Sequence, residues 1–339
     1  MLTDAQLRPI ARLALAAGTL ALSGCYYLHL AAGQLDMNRR REPIADLIAR
    51  EGTEPALRQR LEYASRAREF AITGLGLPDN GSYRSYADLG RPYATWNLFA
   101  APEFSVTPQR WCFPVAGCVA YRGYFREERA ARAAARVAGR GQDVYIGPAL
   151  AYSTLGHLRD PVLNTMLRYG DAELAALIFH ELAHQQAYLP GDSDFNEAFA
   201  TVVENEGAGR WLSHLGRDAE LTAFVASRGR EQELAGQMVA TRERLAKLYA
   251  SGAPADEMRG AKAAELARLR ESLSALGLTT AGDLNNARLA AVATYHRCVP
   301  ALTALLADHN GNLPEYYAAI RSLAHDAVAR SALCPSDKR

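Results

Sequence analysis

Two histidines and a glutamate, His180, Glu181 and His184, followed by Gln185 and Gln186, interrupt an otherwise apolar stretch that runs from Leu174 to Tyr188. The stretch reads as a helix that is apolar on nearly every side, and a helix of that kind has to be buried. Four residues advance about 400° around a helix, so the two imidazoles share one face and can bind a common tetrahedral metal. Burying such polar groups without a common partner is costly, and a metal supplies that partner. A fold open to this chain therefore places this helix in its core, beside a cation. Chance produces H-E-x-x-H in only about one chain in a hundred of this length and histidine content. The competing reading is a pair of hydrogen-bonded core histidines with no metal.

A catalytic zinc takes three protein ligands and leaves one position open for water. After the Pro190-Gly191 turn, the segment from Asp194 to Glu204 begins a second helix, and Glu197 in its first turn can face the first helix as the third ligand. Glu204 lies two turns further along the same face, where it can hydrogen-bond a ligand histidine. Spacing alone also permits these two glutamates to exchange roles, and either could be an ordinary surface carboxylate. Glu181 points to the adjacent part of the site, where it can hold and deprotonate a water as general base. One zinc ion per chain is the expected cofactor. Tyr295 and His296, on a helix-like stretch far downstream, and Tyr152 are candidates to steady a developing oxyanion. Arg122 is a candidate for binding a substrate carboxylate.

Residues 1–24 have the form of an export signal: Arg8 and Arg12 precede an apolar stretch from Leu13 to Leu22, followed by Ser23 and Gly24. Leu22-Ser23-Gly24-Cys25 resembles the bacterial lipobox, which implies cleavage before Cys25 and a lipid anchor on it. By the same resemblance, Tyr26 in place of Asp implies onward sorting to the outer membrane, with the protein facing the periplasm. In that oxidising compartment the other four cysteines can pair. The turn-forming Phe113–Gly117 stretch favours Cys112 with Cys118, leaving Cys298 with Cys334, although four cysteines allow three pairings.

Lys+Arg number 38 against 37 Asp+Glu, so the basic excess of a nucleic-acid binder is missing and nucleic acid is not an expected partner. No apolar run reaches the roughly 20 residues of a spanning helix, which excludes a polytopic membrane protein. Residues 26–75 read as helices. Tyr93–Phe99, Val119–Phe125 and Asp143–Ile146 read as strands of a small antiparallel sheet, interrupted by a helical Arg/Ala run at Arg126–Arg140. After Pro161 the chain reads as helical almost to its end. Residues 217–275 form a charged helical hairpin broken at Ser251–Pro254, with Leu234, Met238, Thr241, Leu245 and Leu248 on one packing face. The expected fold is α+β, mostly α, with residues 25–339 as a single domain.

The segment Asn196-Glu197-Ala198-Phe199-Ala200 with Glu204 is similar to the N-E-x-F-A…E segment that follows H-E-x-x-H in the aminopeptidase N family. That resemblance implies a zincin-like metallopeptidase core, with Glu197 as the third zinc ligand. Only 12 residues separate His184 from Glu197, fewer than in aminopeptidase N or thermolysin, so a tighter connection has to join the helices. In Ala100–Phe104, Glu103 resembles the glutamate that holds the substrate's free amine in aminopeptidase N. A closer likeness spans nearly the whole chain. Cys25-Tyr26-Tyr27, Leu77–Asn80, Trp111–Tyr124, Ala151–Gly156 and the H-E-x-x-H segment resemble a family of bacterial lipoproteins described as aminopeptidases. The activity this implies is zinc-dependent hydrolysis of peptide substrates. Rival expectations are a zinc endopeptidase of the cell envelope and a non-catalytic envelope lipoprotein with a structural zinc. Glu181 weighs against the last, since a structural zinc has no use for a carboxylate beside its ligand.

Overall fold

The structure, a computed structural model, describes residues 26–113, 117–278 and 282–335. The expected signal segment and Cys25 lie outside the described residues. Residues 26–39 form α1, followed by β1 (Arg41–Pro43), α2 (Ile44–Ala49), α3 (Pro55–Thr73), β2 (Ser85–Ala87) and β3 (Thr95–Pro102). Then come β4 (Trp111–Phe113), β5 (Gly117–Val119), β6 (Arg122–Tyr124), α4 (Glu127–Ala138), β7 (Gln142–Ala149) and β8 (Val162–Leu163). The remainder is helical: α5 (Asp171–Gln186), α6 (Ser193–His214), α7 (Asp218–Tyr249), α8 (Ala255–Ala275), α9 (Asn286–His296), α10 (Val299–Asp308), α11 (Leu313–His325) and α12 (Ala327–Leu333).

The chain is mostly helical with small sheets, as its periodicity predicts. The antiparallel sheet is ordered β6-β3-β7, with Leu98 opposite both Arg122 and Ile146. The expected Val119–Phe125 strand is split: β5 pairs with β4 in a two-stranded ribbon, and β6 joins β3. A second sheet, β1-β2-β8, combines one antiparallel and one parallel pair and was not apparent from periodicity. Both expected disulfides, Cys112–Cys118 and Cys298–Cys334, are formed.

The main core lies between α3, α5, α6 and α11, with Phe179, Leu182, Phe199, Val203 and Tyr316 buried within it. Removing such a side chain from water contributes about 1.5–3 kcal/mol. Gly207 of α6 lets the two central helices approach closely, since a Cβ there would stand 2.7 Å from Leu75 and 2.9 Å from Phe179. The predicted hairpin is α7–α8, and Met238 and Leu245 pack on Leu266, Leu269 and Leu273 in a separate cluster. Asn286–Asp308 departs from one expectation: this 23-residue stretch could cross a membrane by length and composition. Half of its most apolar window is buried inside the protein, and it is divided into α9 and α10.

Candidate metal centre

The first turn of α5 carries Asp171 and Glu173, whose charges suit the positive end of the helix dipole. The helix ends where Ala187 turns extended. Gly191 supplies the left-handed turn (φ +83°) that sends the chain back into α6. Asn196 fixes this short connection, because its side chain accepts from the Leu189 N–H and donates to the Leu189 carbonyl, both at 2.8 Å. The returning helix sets Glu197 against His184 and Glu204 against His180.

His180 Nε2 and His184 Nε2 are 3.2 Å apart, and Glu197 Oε2 lies 3.4 Å from the first and 3.6 Å from the second. A tetrahedral zinc with ligand bonds of about 2.0–2.1 Å separates its ligands by about 3.3–3.4 Å. The triangle of donors therefore fits one metal ion, and these three residues form the only such metal-capable group among the described residues. Outside the triangle, Glu204 Oε2 accepts from His180 Nδ1 at 2.9 Å. Arg228 of α7 donates to Glu204 Oε1 at 2.6 Å and to Glu231 Oε2 at 2.6 Å. Such a chain fixes the ring orientation and tautomer of His180. Glu197 thus completes the triangle, and Glu204 binds His180 from outside it.

The carboxylates favour positive charge at this position. Burial opposes a charge on His180, but the Glu197 and Glu204 carboxylates overcome it and hold its pKa well above the usual histidine value. Burial likewise disfavours the Glu197 carboxylate, yet the imidazoles of His184 and His180 lower its pKa to about 2. In Glu181, burial raises the pKa; the two histidines oppose this, while Glu197 and Asp160 add to it. A carboxyl shifted upward in this way is suited to proton transfer nearer neutrality.

The triangle opens on a cavity of about 960 Å³, which Glu181, Tyr295 and Tyr152 also line. Burial, followed by the nearby Glu197 charge, holds the phenols of Tyr121 and Tyr295 well above the usual tyrosine value, and raises Tyr188 to about 12. All three therefore keep their phenolic protons near neutral pH.

Three further segments pack around the end of α5 and its connection to α6. Asn80 donates to Gln185 at 2.5 Å, one residue beyond His184. Gly156 (φ +78°) packs on the same pair, where a Cβ would meet Asn80 at 3.0 Å and Gln185 at 3.3 Å. Buried Asp160 holds the loop before it, accepting from the Thr154 N–H at 3.0 Å and its hydroxyl at 2.8 Å. The disulfide-bonded β4–β5 ribbon sits on the α5–α6 connection: a Cβ on Gly117 would come within 2.7 Å of Gly191 N, and Arg110 donates to the Gly191 carbonyl at 2.6 Å. The Leu77–Asn80, Ala151–Gly156 and Trp111–Tyr124 stretches thus all converge on the H-E-x-x-H helix.

A family model described as "Putative aminopeptidase" matches residues 25–332. The chain belongs to this family. No curated protein and no solved structure matches it. In this aminopeptidase-family chain, the site residues expected from the sequence fall into two groups. His180, Glu181, His184, Glu197, Glu204, Tyr295 and Tyr152 all border the cavity. Glu103, His296 and Arg122 do not line it. Glu103 is bound instead to Arg259 of α8 at 2.6 Å, an ion pair that local similarity to an amine-binding glutamate could not reveal. Half-buried His296 lies in the field of Glu231, Glu204 and Arg228. Arg122 stacks over the Tyr26 ring at 3.7 Å. Arg228, Asp160, Tyr121 and Tyr188 were not singled out in the sequence.

Proposed function

We propose that the protein is a zinc-dependent peptidase with a zincin-like core, holding one zinc per chain through His180, His184 and Glu197. The observation that carries this reading is the donor triangle with sides of 3.2, 3.4 and 3.6 Å. Bound there, zinc would polarise a carbonyl and bring the pKa of a water toward about 7. Glu181, on the cavity side, takes a proton from the attacking water and returns it to the leaving amine as the C–N bond breaks. Across the reaction, one water is added and the peptide becomes an acid and an amine. A neutral phenol, with Tyr295 first among those lining the cavity, donates to the carbonyl oxygen as charge develops on it. Glu204, held by Arg228, keeps His180 in orientation.

The family name makes aminopeptidase activity the first substrate class to test. Glu103, the carboxylate proposed for gripping a free amine, is occupied by Arg259, and this favours endopeptidase activity as the second reading. Anchoring through Cys25 in the bacterial envelope, facing the periplasm from the outer membrane, is part of the proposal. Cys25→Ser should release the protein from membranes or leave an uncut precursor, and undiminished fatty-acid labelling of that variant would refute the anchor. The peptidase reading is tested by metal content and peptide hydrolysis of purified protein. Zinc-dependent hydrolysis supports it, whereas full zinc occupancy in a His180→Ala, His184→Ala double variant would remove its basis.

A further inference from the structure

The cavity against the metal centre is walled chiefly by aromatic and aliphatic side chains. Helix α1 contributes Tyr26, Tyr27 and Leu30, the sheet and ribbon contribute Phe99 and Val119, and α9 contributes Val292. At its rim, the exposed lining residues are Tyr27, Pro148 and Leu158 together with His157. At about 960 Å³ it lies near the top of the roughly 300–1,000 Å³ range of ligand pockets, with room for several side chains on either side of a scissile bond.

The charged groups facing this space already have partners or duties. Its carboxylates are Glu181, Glu197 and Glu204, and no lysine, arginine or aspartate lines it among the described residues. Glu197 completes the donor triangle, and Glu204 is shared between His180 and Arg228. Glu181 faces the attacking water. An ammonium entering this space would lose its hydration and find no carboxylate left to replace it, whereas apolar side chains gain by leaving water for these walls.

We propose that the cavity selects an uncharged, apolar segment of a peptide chain and requires no free α-amine on it. This rests on the peptidase reading above and names its substrate class.

The test uses internally quenched peptides whose residues flanking the central bond are apolar, acidic or basic, each with a free or an acetylated N-terminus. Hydrolysis is measured with the zinc-loaded protein. Binding of the same peptides is measured by calorimetry with zinc-loaded Glu181→Gln, which keeps the cavity's shape. Acetylation should change kcat/KM by less than about threefold, and charged flanking residues should weaken both binding and hydrolysis by about tenfold or more. A strict need for the free amine, a preference for charged residues, or failure of the apolar peptides to bind would overturn the inference. Binding of the acetylated apolar peptide without cleavage by the wild type would uphold the inference and break the peptidase reading instead.

Discussion

The molecule contains two successive helical pairs built on opposite plans. In α5–α6, apolar side chains fill the core, and the polar groups His180, His184, Glu197 and Glu204 turn inward toward one another. In α7–α8, one apolar seam is buried and the charges lie outside, as in the Arg244–Glu265 pair, where the arginine side chain is 47% exposed. Water satisfies the polar groups of the hairpin. The four inward groups of α5–α6 rely on one another, on Arg228 and on whatever cation joins them, so the two pairs should respond differently to loss of a charge. They meet at Arg228, which reaches from α7 to Glu204 and through it to His180.

The contrast is broken or sharpened most strongly at Glu181. Glu181→Gln should keep zinc and lose about 10²–10⁴-fold in turnover, because an amide cannot accept the proton of water. Parallel elemental analysis and peptide assays would show this, and loss of metal in that variant would mean that Glu181 is a ligand. Glu197→Gln should fail differently. A neutral amide oxygen is a poor zinc ligand, so zinc affinity should fall first and activity should return in part with excess metal, as a zinc titration would reveal. If Glu204→Gln gives that pattern while Glu197→Gln stays occupied, the two glutamates have exchanged roles.

A smaller effect is expected where the two plans join. Arg228→Gln should reduce zinc affinity about tenfold by loosening the Glu204 support of His180. A competition titration with a chelator would measure it, and an unchanged affinity would reduce Arg228 to a packing residue. The smallest effect belongs to the hairpin surface: Arg244→Ala should change unfolding free energy by less than about 1 kcal/mol in a denaturant titration.

Acidity sharpens the same contrast in the metal-free protein. The Glu197 pKa of about 2 lies below its ordinary value of 4.5, so its contribution to stability is present above about pH 4.5 and lost as pH falls through about 2. His180 has the opposite sign: its raised pKa contributes stability below about pH 6.5 that is lost as pH rises through the folded value. Zinc must displace that proton, so zinc affinity should fall on acidification while apo stability near neutrality does not. Thermal melts of both forms across pH would check this.

The candidate metal-holding group was legible because it is local. A four-residue spacing fixes a helical face, and an apolar frame makes polar intruders conspicuous, so His180, Glu181 and His184 could be placed without a structure. The disulfide pairing and the hairpin were readable for similar reasons, one from a turn-forming loop and the other from an apolar seam ended by Gly252 and Pro254. Sheet β1-β2-β8 was not readable, because its strands are two or three residues long and pair with partners far along the chain. Arg228 could not be distinguished by sequence among 38 lysines and arginines. Glu103 was misleading for the complementary reason: its resemblance is local, whereas its partner Arg259 lies 156 residues away.

The most direct measurement is anomalous diffraction at the zinc edge from crystals of the zinc-loaded protein. The account predicts one strong peak inside the triangle of His180 Nε2, His184 Nε2 and the Glu197 carboxylate, with bonds of about 2.0–2.1 Å to the nitrogens and Glu204 remaining on His180 Nδ1. A peak elsewhere in the molecule, a metal coordinated by Glu204 in place of Glu197, or no peak at full zinc loading would contradict it.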